Sequence, residues 1–423
     1  MDIAAFFADS THVYILLAAV FGIFMAWGIG ANDVANAMAT SVGSKSITIK
    51  QAVILASIFE FSGAYLAGGE VTKTIRKGII DQATFTNQPE VLIWGMLAAL
   101  LAAGTWLLIA SRKGWPVSTT HSIVGAVIGF AAVGVSMDAV HWEKVTGIVL
   151  SWIVTPVMAG VISFSVFTSI QKLILDTEDP FKNALKYGPF YLFLVGFIIA
   201  MVTIKKGLKH VGLHLDDMQS VLVAVSIGVL LTILGSILIR RIKFDSKADK
   251  RFAFTNVEKI FAVLMVFTAS AMAFAHGSND VANAVGPMAA VISIAKSGAV
   301  AAKSGVPSWV LLVGGIGIVV GLATFGYKVI ATVGKNITEL TPSRGFSAEI
   351  GAATTVVLAT YTGAPISTTQ TLVGAVLGVG LARGIAAIDL RVVGNIFMSW
   401  VITLPAGAIL SILFFYMIKG MAT

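Results

Sequence analysis

The stretch GIGANDVANA, residues 28–37, decides the fold of this chain, because its last six residues, NDVANA, recur at 279–284. Both copies lie inside long apolar stretches, where an Asp at the centre of a membrane helix costs about 2.5–3.5 kcal/mol on insertion scales. A chain that carries this cost twice, in identical residues, uses them for a function. The recurrence also indicates that the functional site is built from two related halves.

Composition places the chain in a membrane. It has 57% hydrophobic and 12% charged residues, whereas soluble domains carry about 25% charged residues. Gly supplies 42 of the 423 residues, and small residues let membrane helices pack closely. The absence of cysteine excludes disulfides, thiolate metal sites and cysteine catalysis. We therefore predict an all-α polytopic membrane protein.

Apolar stretches of about 18 residues or more are typical of membrane spans. The sequence contains twelve candidates, at about 12–40, 51–69, 90–111, 116–134, 145–170, 190–204, 219–239, 257–293, 307–333, 349–361, 365–382 and 390–418. The segments at 190–204 and 349–361 are too short or too broken to be simple spans. About 12 transmembrane segments are expected, some of them broken or re-entrant helical hairpins.

Basic residues predict the orientation. The chain has a net charge of +8, but its basic residues fall in short loops, which favours a role in topology over nucleic-acid binding. The richest basic loop contains Arg240, Arg241, Lys243, Lys247, Lys250 and Arg251. The positive-inside rule makes this loop cytoplasmic. Because seven segments precede it and five follow, both termini are predicted to be external, in a multi-pass protein of the plasma membrane.

A second motif recurs in the same order as the first. PVSTTHS at 116–122 matches PISTTQT at 365–371. These matches divide the chain into a first repeat at 1–170, two connecting segments with the basic loop at 171–256, and a second repeat at 257–423. The first repeat starts outside and the second at the cytoplasmic loop, so the repeats are expected to be inverted. A parallel duplication is the alternative.

The NDVANA segments offer oxygen ligands. Asn32 and Asn36 share one helix face, with Asp33 beside it, and the second copy repeats this pattern. Gly28 and Gly30 precede the first copy and predict an unwound turn there, which would free backbone carbonyls. Such oxygens suit a small hard cation. The candidate Na⁺ ligands are Asn32, Asp33, Asn36, Asn279, Asp280 and Asn283. The alternative is a polar clasp between helices.

The Pro-x-Ser-Thr-Thr elements offer hydrogen-bond donors for an anion. Proline suits the first turn of a helix, where free N–H groups and the helix dipole favour an anion such as phosphate. Two such helix ends meeting from opposite halves would hold one tetrahedral oxyanion. The hydroxyl residues are Ser118, Thr119, Thr120, Ser367, Thr368 and Thr369. Ordinary N-capping by Ser or Thr is the alternative.

Three further polar residues lie in apolar segments. Glu60 and Glu349 are intramembrane carboxylates, which are functional candidates by default. Glu349 lies near Arg344 and has helix capping as its alternative role. His276 precedes the second NDVANA copy, where contact with the anion and a plain hydrogen bond are both open.

The paired motifs resemble those of the inorganic phosphate transporter (PiT) family, over both halves of the chain. The resemblance implies a secondary transporter with inverted repeats that moves inorganic phosphate with a coupled cation. It also implies that the Asn and Asp positions named above, the two Ser-Thr-Thr elements, Glu60 and Glu349 are functional. The chain departs from the pattern at Gln370, where many members repeat the histidine found here as His121.

The expected function is import of inorganic phosphate by cation symport through alternating access. Phosphate carries a proton that Asp33 or Asp280 can accept, whereas sulfate does not, so these carboxylates join the phosphate site together with Gln370. Amide and hydroxyl oxygens favour Na⁺ over H⁺. A proton-coupled phosphate permease, a sulfate permease and a passive anion channel are the alternatives.

Other classes fit less well. An intramembrane aspartyl protease is disfavoured because Asn32 and Asn279 precede the two Asp residues where such enzymes have Gly. No enzyme activity, cofactor or nucleic-acid partner is expected. The partners are phosphate, the coupling cation and the lipid bilayer, and small-residue surfaces permit a homodimer.

Overall fold

The protein is an assembly of long helices. The computed structural model describes residues 10–205, 215–245, 254–300, 306–330, 340–384 and 390–422. Its α-helices are α1 (Ser10–Gly43), α2 (Ile49–Ala67), α3 (Gly69–Lys77), α4 (Pro89–Lys113), α5 (Thr119–Gly134), α6 (Trp142–Ile170), α7 (Pro180–Lys205), α8 (Asp217–Ile239), α9 (Thr255–Ser297), α10 (Ser308–Gly321), α11 (Pro342–Thr362), α12 (Thr368–Ala382) and α13 (Leu390–Ala422). The predicted all-α class is confirmed, as expected where lipid leaves the backbone to satisfy its own hydrogen bonds.

Within the described residues each predicted segment falls on a helix, and the short α3 was not predicted; positions 331–333 of the segment at 307–333 lie outside the described residues. Among the described residues, nine helical stretches are long and apolar enough to cross a membrane. They are α1, α2, α4, α6, α7, α8, α9, α13, and α10 together with its helical continuation to Ile330. The count of twelve spans is therefore not confirmed. The segment at 190–204 belongs to the 26-residue α7 and is one of the nine, so the expectation that it is too short was wrong.

Two helical hairpins, α4–α5 and α11–α12, account for most of the difference between the twelve predicted spans and the nine observed in the described part of the chain. The second arms, α5 and α12, have 16 and 15 residues, about 24 Å or less at 1.5 Å per residue, which is short of the hydrocarbon thickness. Helix α4 ends at Gly114 and α11 at Gly363, with φ of 67° and 73°. Glycine reaches this left-handed conformation without steric cost. The predicted hairpins are thus present, with tips at 114–118 and 363–367.

The predicted unwound turn beside NDVANA is wrong. Helix α1 runs unbroken from Ser10 to Gly43, and α9 from Thr255 to Ser297. The glycines serve close packing instead. A Cβ atom on Gly30 would collide with the backbone of Ile318 in α10, and one on Gly277 with the backbone of Glu60 in α2. Helix crossing, rather than helix breaking, explains the glycines at these positions.

The two halves of the chain interlock. Helices α1 and α9, which carry the NDVANA segments, pack along each other. The first hairpin packs on α13 through both of its arms, and the second hairpin packs on α6 in the same way. Each hairpin is therefore held by the last helix of the other half, which brings the two tips to the α1–α9 pair.

We expect Gly277→Ala to destabilise the protein, because the added methyl group forces α2 and α9 apart. Overpacking of this kind costs about 1–3 kcal/mol, which thermal unfolding of the purified protein in detergent would register as a lower midpoint. Gly147→Ala is the matched control, since a Cβ atom there meets no other atom within 4 Å. Equal unfolding midpoints for the two variants would contradict the packing argument.

Candidate ion-binding site

The six Asn and Asp side chains of the NDVANA segments lie in the protein interior. None of them exposes more than 4% of its surface. An unpaired polar group in such surroundings costs about 1–3 kcal/mol by mutational data, so each of these side chains needs partners. The partners come mainly from the two hairpin tips.

Asn32 holds the first hairpin tip by its backbone. Its Oδ1 accepts from the N–H of Val117 at 3.2 Å, and its Nδ2 donates to the carbonyl of Trp115 at 3.0 Å. The same Nδ2 donates to Ser111 Oγ at 3.2 Å. Because a carboxamide both donates and accepts, one side chain satisfies both kinds of backbone group.

Asn279 repeats this arrangement on the second tip. Its Oδ1 accepts from the N–H of Ile366 at 3.4 Å, and its Nδ2 donates to the carbonyl of Ala364 at 3.2 Å and to Thr360 Oγ1 at 3.1 Å. For Asn32 and Asn279 the geometry is that of a polar clasp. Their oxygens face the hairpin backbone in this arrangement.

The two carboxylates bind the first threonine of each hairpin helix. Thr119 donates to Asp33 Oδ2 at 2.5 Å, and Thr368 donates to Asp280 Oδ2 at 2.8 Å. One ligand atom each from Asp33, Asp280 and His276 lies within 4.8 Å of the others. The carboxylates of the two halves therefore share one site.

Asn36 reaches across to the second hairpin. Its Nδ2 donates to Thr369 Oγ1 at 2.8 Å and lies 3.3 Å from Thr368 Oγ1. Thr369 in turn donates to the carbonyl of Val117 in the first tip, at 3.3 Å. These contacts join α1 to both hairpins.

Asn283 makes the matching contacts with the first hairpin. Its Nδ2 donates to Thr120 Oγ1 at 3.1 Å and lies 3.4 Å from Thr119 Oγ1. Thr120 donates to the carbonyl of Ile366, at 2.7 Å. Asn36 and Asn283 are 247 residues apart, and the hairpin residues that they contact are 249 residues apart. The same contacts are therefore made by matching positions of the repeated motifs.

The remaining hairpin residues lie at the helix starts. Ser118 and Ser367 are N-caps, and their Oγ atoms accept from the N–H groups of His121 and Gln370, at 3.2 Å in each case. These two serines therefore do cap their helices, and the prolines lie ahead of the caps rather than in the first turn. The His121 ring packs on Trp152, with centroids 3.8 Å apart, and faces Gln370. The N-termini of α5 and α12 thus converge on the site.

Glu60 and His276 lie next to Asp280, and all three are fully buried. His276 Nε2 is 2.9 Å from Asp280 Oδ2, and Nδ1 is 3.2 Å from Glu60 Oε1. The imidazole therefore lies between two carboxylates, and His276 contacts Asp280 rather than a hairpin tip.

Glu349 lies in a separate cluster. It is inside α11, past the first turn, so it does not cap that helix. Its Oε1 accepts from Thr40 at 2.7 Å and from Ser41 at 2.6 Å, and its Oε2 accepts from Thr268. Thr40 lies one helical turn beyond Asn36, which places this cluster beside the central site along α1.

Sequence reasoning missed several members of the site. Ser111 and Thr360 lie 249 residues apart, the spacing of the hairpin motifs, so the repeat alignment could have identified them. The hydroxyls around Glu349 had no such signal, because their positions in the other half, such as Pro287 for Thr40, are not hydroxyl residues.

Comparisons with known proteins agree with this site. The phosphate transporter family matches residues 29–411 of the chain. A Haemophilus influenzae protein named as a phosphate permease is 54% identical over 404 residues, covering 95% of this chain and 96% of its own. The chloroplastic inorganic phosphate transporter 2-1 of Arabidopsis thaliana is 42% identical over 414 residues, covering 93% and 70%.

A solved structure described as the sodium-dependent phosphate transporter is also similar. It has 41% sequence identity and a TM-score of 0.90, and the match covers 96% of this chain and 99% of that one. These relatives are transporters and permeases rather than enzymes, in agreement with the sequence-based expectation. The chain is an integral membrane protein and belongs to the phosphate transporter family.

Proposed function

We propose that this protein imports inorganic phosphate together with Na⁺ by alternating access. The observation that carries the proposal is the convergence of two helix N-termini, α5 and α12, and their Thr hydroxyls on two buried carboxylates. Family membership supports phosphate as the substrate. The relative described as a sodium-dependent phosphate transporter supports Na⁺ as the cation.

The anion is proposed to bind between the hairpin tips. Helix N-termini carry partial positive charge and free N–H groups, which favour phosphate. The proposed ligands are the Ser-Thr-Thr residues of both hairpins and Gln370, with hydroxyls that now donate within the protein turning to the anion. Asp33 and Asp280 would accept from the protonated oxygen of phosphate and repel sulfate, which has none.

Cations are proposed to bind at the NDVANA segments. Two carboxylates and a phosphate in one buried site repel each other strongly, because burial weakens screening. Na⁺ ions held by Asp and Asn oxygens would offset that repulsion, and they would couple cation entry to anion entry. The proposed ligands are Asn32, Asp33, Asn36, Asn279, Asp280 and Asn283, and no resident cofactor is invoked.

The repeats are proposed to supply the alternating access. Residues 1–170 and 257–423 would form inverted halves joined by 171–256, with the site at their interface. The matching contacts of the two halves support this, and rocking of one half against the other would expose the site to each side in turn. We place the protein in the plasma membrane with both termini external. A homodimer is compatible with this arrangement.

Uptake of radiolabelled phosphate into proteoliposomes tests the proposal. An inward Na⁺ gradient is expected to drive accumulation above equilibrium, and a pH gradient alone is not. Accumulation with the pH gradient alone would make the protein a proton symporter. Failure to accumulate phosphate under either gradient would point to another anion, sulfate first, or to a passive channel.

Asp33→Asn and Asp280→Asn are each expected to lower Na⁺-driven uptake by about 10–100-fold, the effect of losing 1.5–3 kcal/mol of charge-assisted hydrogen bonding. The folded proteins should still be recovered from the membrane. Asp138→Asn is the matched control, because that carboxylate is exposed in a short turn. Wild-type uptake by both buried-site variants would remove the carboxylates from the mechanism.

Thr369→Val is expected to raise the phosphate concentration needed for half-maximal uptake by about tenfold, because it removes one hydroxyl donor worth about 1–1.5 kcal/mol. Thr369→Ser keeps the hydroxyl and should retain near-wild-type affinity. Uptake measured over a range of phosphate concentrations at saturating Na⁺ separates the two variants. Identical curves for Val and Ser would exclude this hydroxyl from the anion site.

A further inference from the structure

The two halves of the site differ at one matched pair of positions. Gly30 of α1 packs on the backbone of Ile318, and Gly277 of α9 packs on the backbone of Glu60. These contacts make Ile318 the counterpart of Glu60, as Ile29 is the counterpart of His276 by its spacing from the NDVANA motif. All four side chains are fully buried. One half therefore has an ionisable pair where the other has two isoleucines.

His276 and Glu60 form a chain of contacts that ends at the Asp280 carboxylate. His276 Nδ1 lies 3.2 Å from Glu60 Oε1, and Nε2 lies 2.9 Å from Asp280 Oδ2, without hydrogen-bond geometry. The imidazole is thus wedged between the two carboxylates and restricts the Asp280 side chain by close contact.

Two side-chain oxygens of the second NDVANA segment are free to bind a cation. Asp280 Oδ2 accepts from Thr368 and lies against His276, whereas Asp280 Oδ1 and Asn283 Oδ1 are buried and accept no hydrogen bond from the described residues. They lie on neighbouring turns of α9. A carboxylate and an amide oxygen on one helix face are suitable ligands for a hard cation.

The other half lacks this arrangement. Ile29 cannot orient Asp33, and Asp33 Oδ1 instead accepts from Asn36 Nδ2 at 3.2 Å. This hydrogen bond occupies one lone-pair site of Asp33 Oδ1, so this oxygen has less capacity left for a cation than Asp280 Oδ1 has. No contact of this kind joins Asn283 to Asp280 among the described residues.

We infer that the two proposed cation sites are unequal, and that the Glu60–His276 pair preorganises the Asp280–Asn283 site so that it binds the first Na⁺. The inference rests on the proposed cation coupling and adds to it an order of binding and two positioning residues. Groups that orient metal-binding carboxylates typically account for 10–100-fold in metal affinity. The Asp33–Asn36 site, whose Oδ1 already accepts a hydrogen bond, receives its cation second.

Na⁺ titration of the purified protein in the absence of phosphate tests the inference, with thermal stability as the readout and K⁺ at equal ionic strength as the reference. Glu60→Gln and the double variant Glu60→Ile/His276→Ile are expected to need about 10–100-fold more Na⁺ for the same stabilisation. The double variant copies the isoleucine pair that the fold already accommodates in the other half. Ile29→Val/Ile318→Val is the matched control and should keep the wild-type response.

The outcomes separate the inference from the proposed function. A Na⁺ response in the wild type that is unchanged in both Glu60 variants overturns the inference and leaves cation coupling intact. A wild type that responds equally to Na⁺ and K⁺ overturns the proposed Na⁺ coupling and the inference with it. A loss of Na⁺ affinity as large in the isoleucine control as in the Glu60 variants also overturns the inference, because packing alone would then explain the effect.

Discussion

The pairing of the two NDVANA segments with the two hairpin tips is the interaction on which the rest of the structure depends. Carboxamide and carboxylate side chains inside an apolar bundle must be paired, and the ends of α5 and α12 carry backbone groups that no helix satisfies. Asn32 and Asn279 meet both needs at once, since each binds an N–H and a carbonyl of one tip. Because the hairpins are fixed in this way, α6 and α13 are positioned as well.

The interior of the site is closed by hydrogen bonds of its own. Thr119, Thr120, Thr368 and Thr369 all donate to groups of the opposite or the same half. In the proposed function, an entering anion takes these donors away from two carboxylates and two backbone carbonyls, and those buried acceptors then need new partners. Since each buried acceptor left unpaired costs about 1–3 kcal/mol, the proposed cations would favour anion entry by pairing with the carboxylates.

Much of this arrangement follows from the sequence alone. Hydropathy located every long helix, and the spacing of the repeated motifs predicted that residues about 250 positions apart converge on one site. The count of twelve spans is not confirmed because α5 and α12 are as apolar as the longer helices and differ in length, which depends on where the glycine turns lie. The role assigned to Gly28 and Gly30 failed because glycine permits both an unwound turn and a close helix crossing, and only tertiary packing decides between them. The contact between Glu60 and His276 could not be predicted from the repeats, because neither residue has a counterpart of its own kind in the other half.

The exchange of packing partners between halves has a consequence for how the protein is made. Domains generally fold in the order in which they are synthesised, but the first hairpin rests on α13, which is translated long after it. Until that helix enters the bilayer, α5 has neither the length to cross the membrane nor its main packing partner, α13, and α4 is its main remaining contact. Assembly of the transport core is therefore a late event in biogenesis, and it joins the earliest and latest parts of the nascent chain.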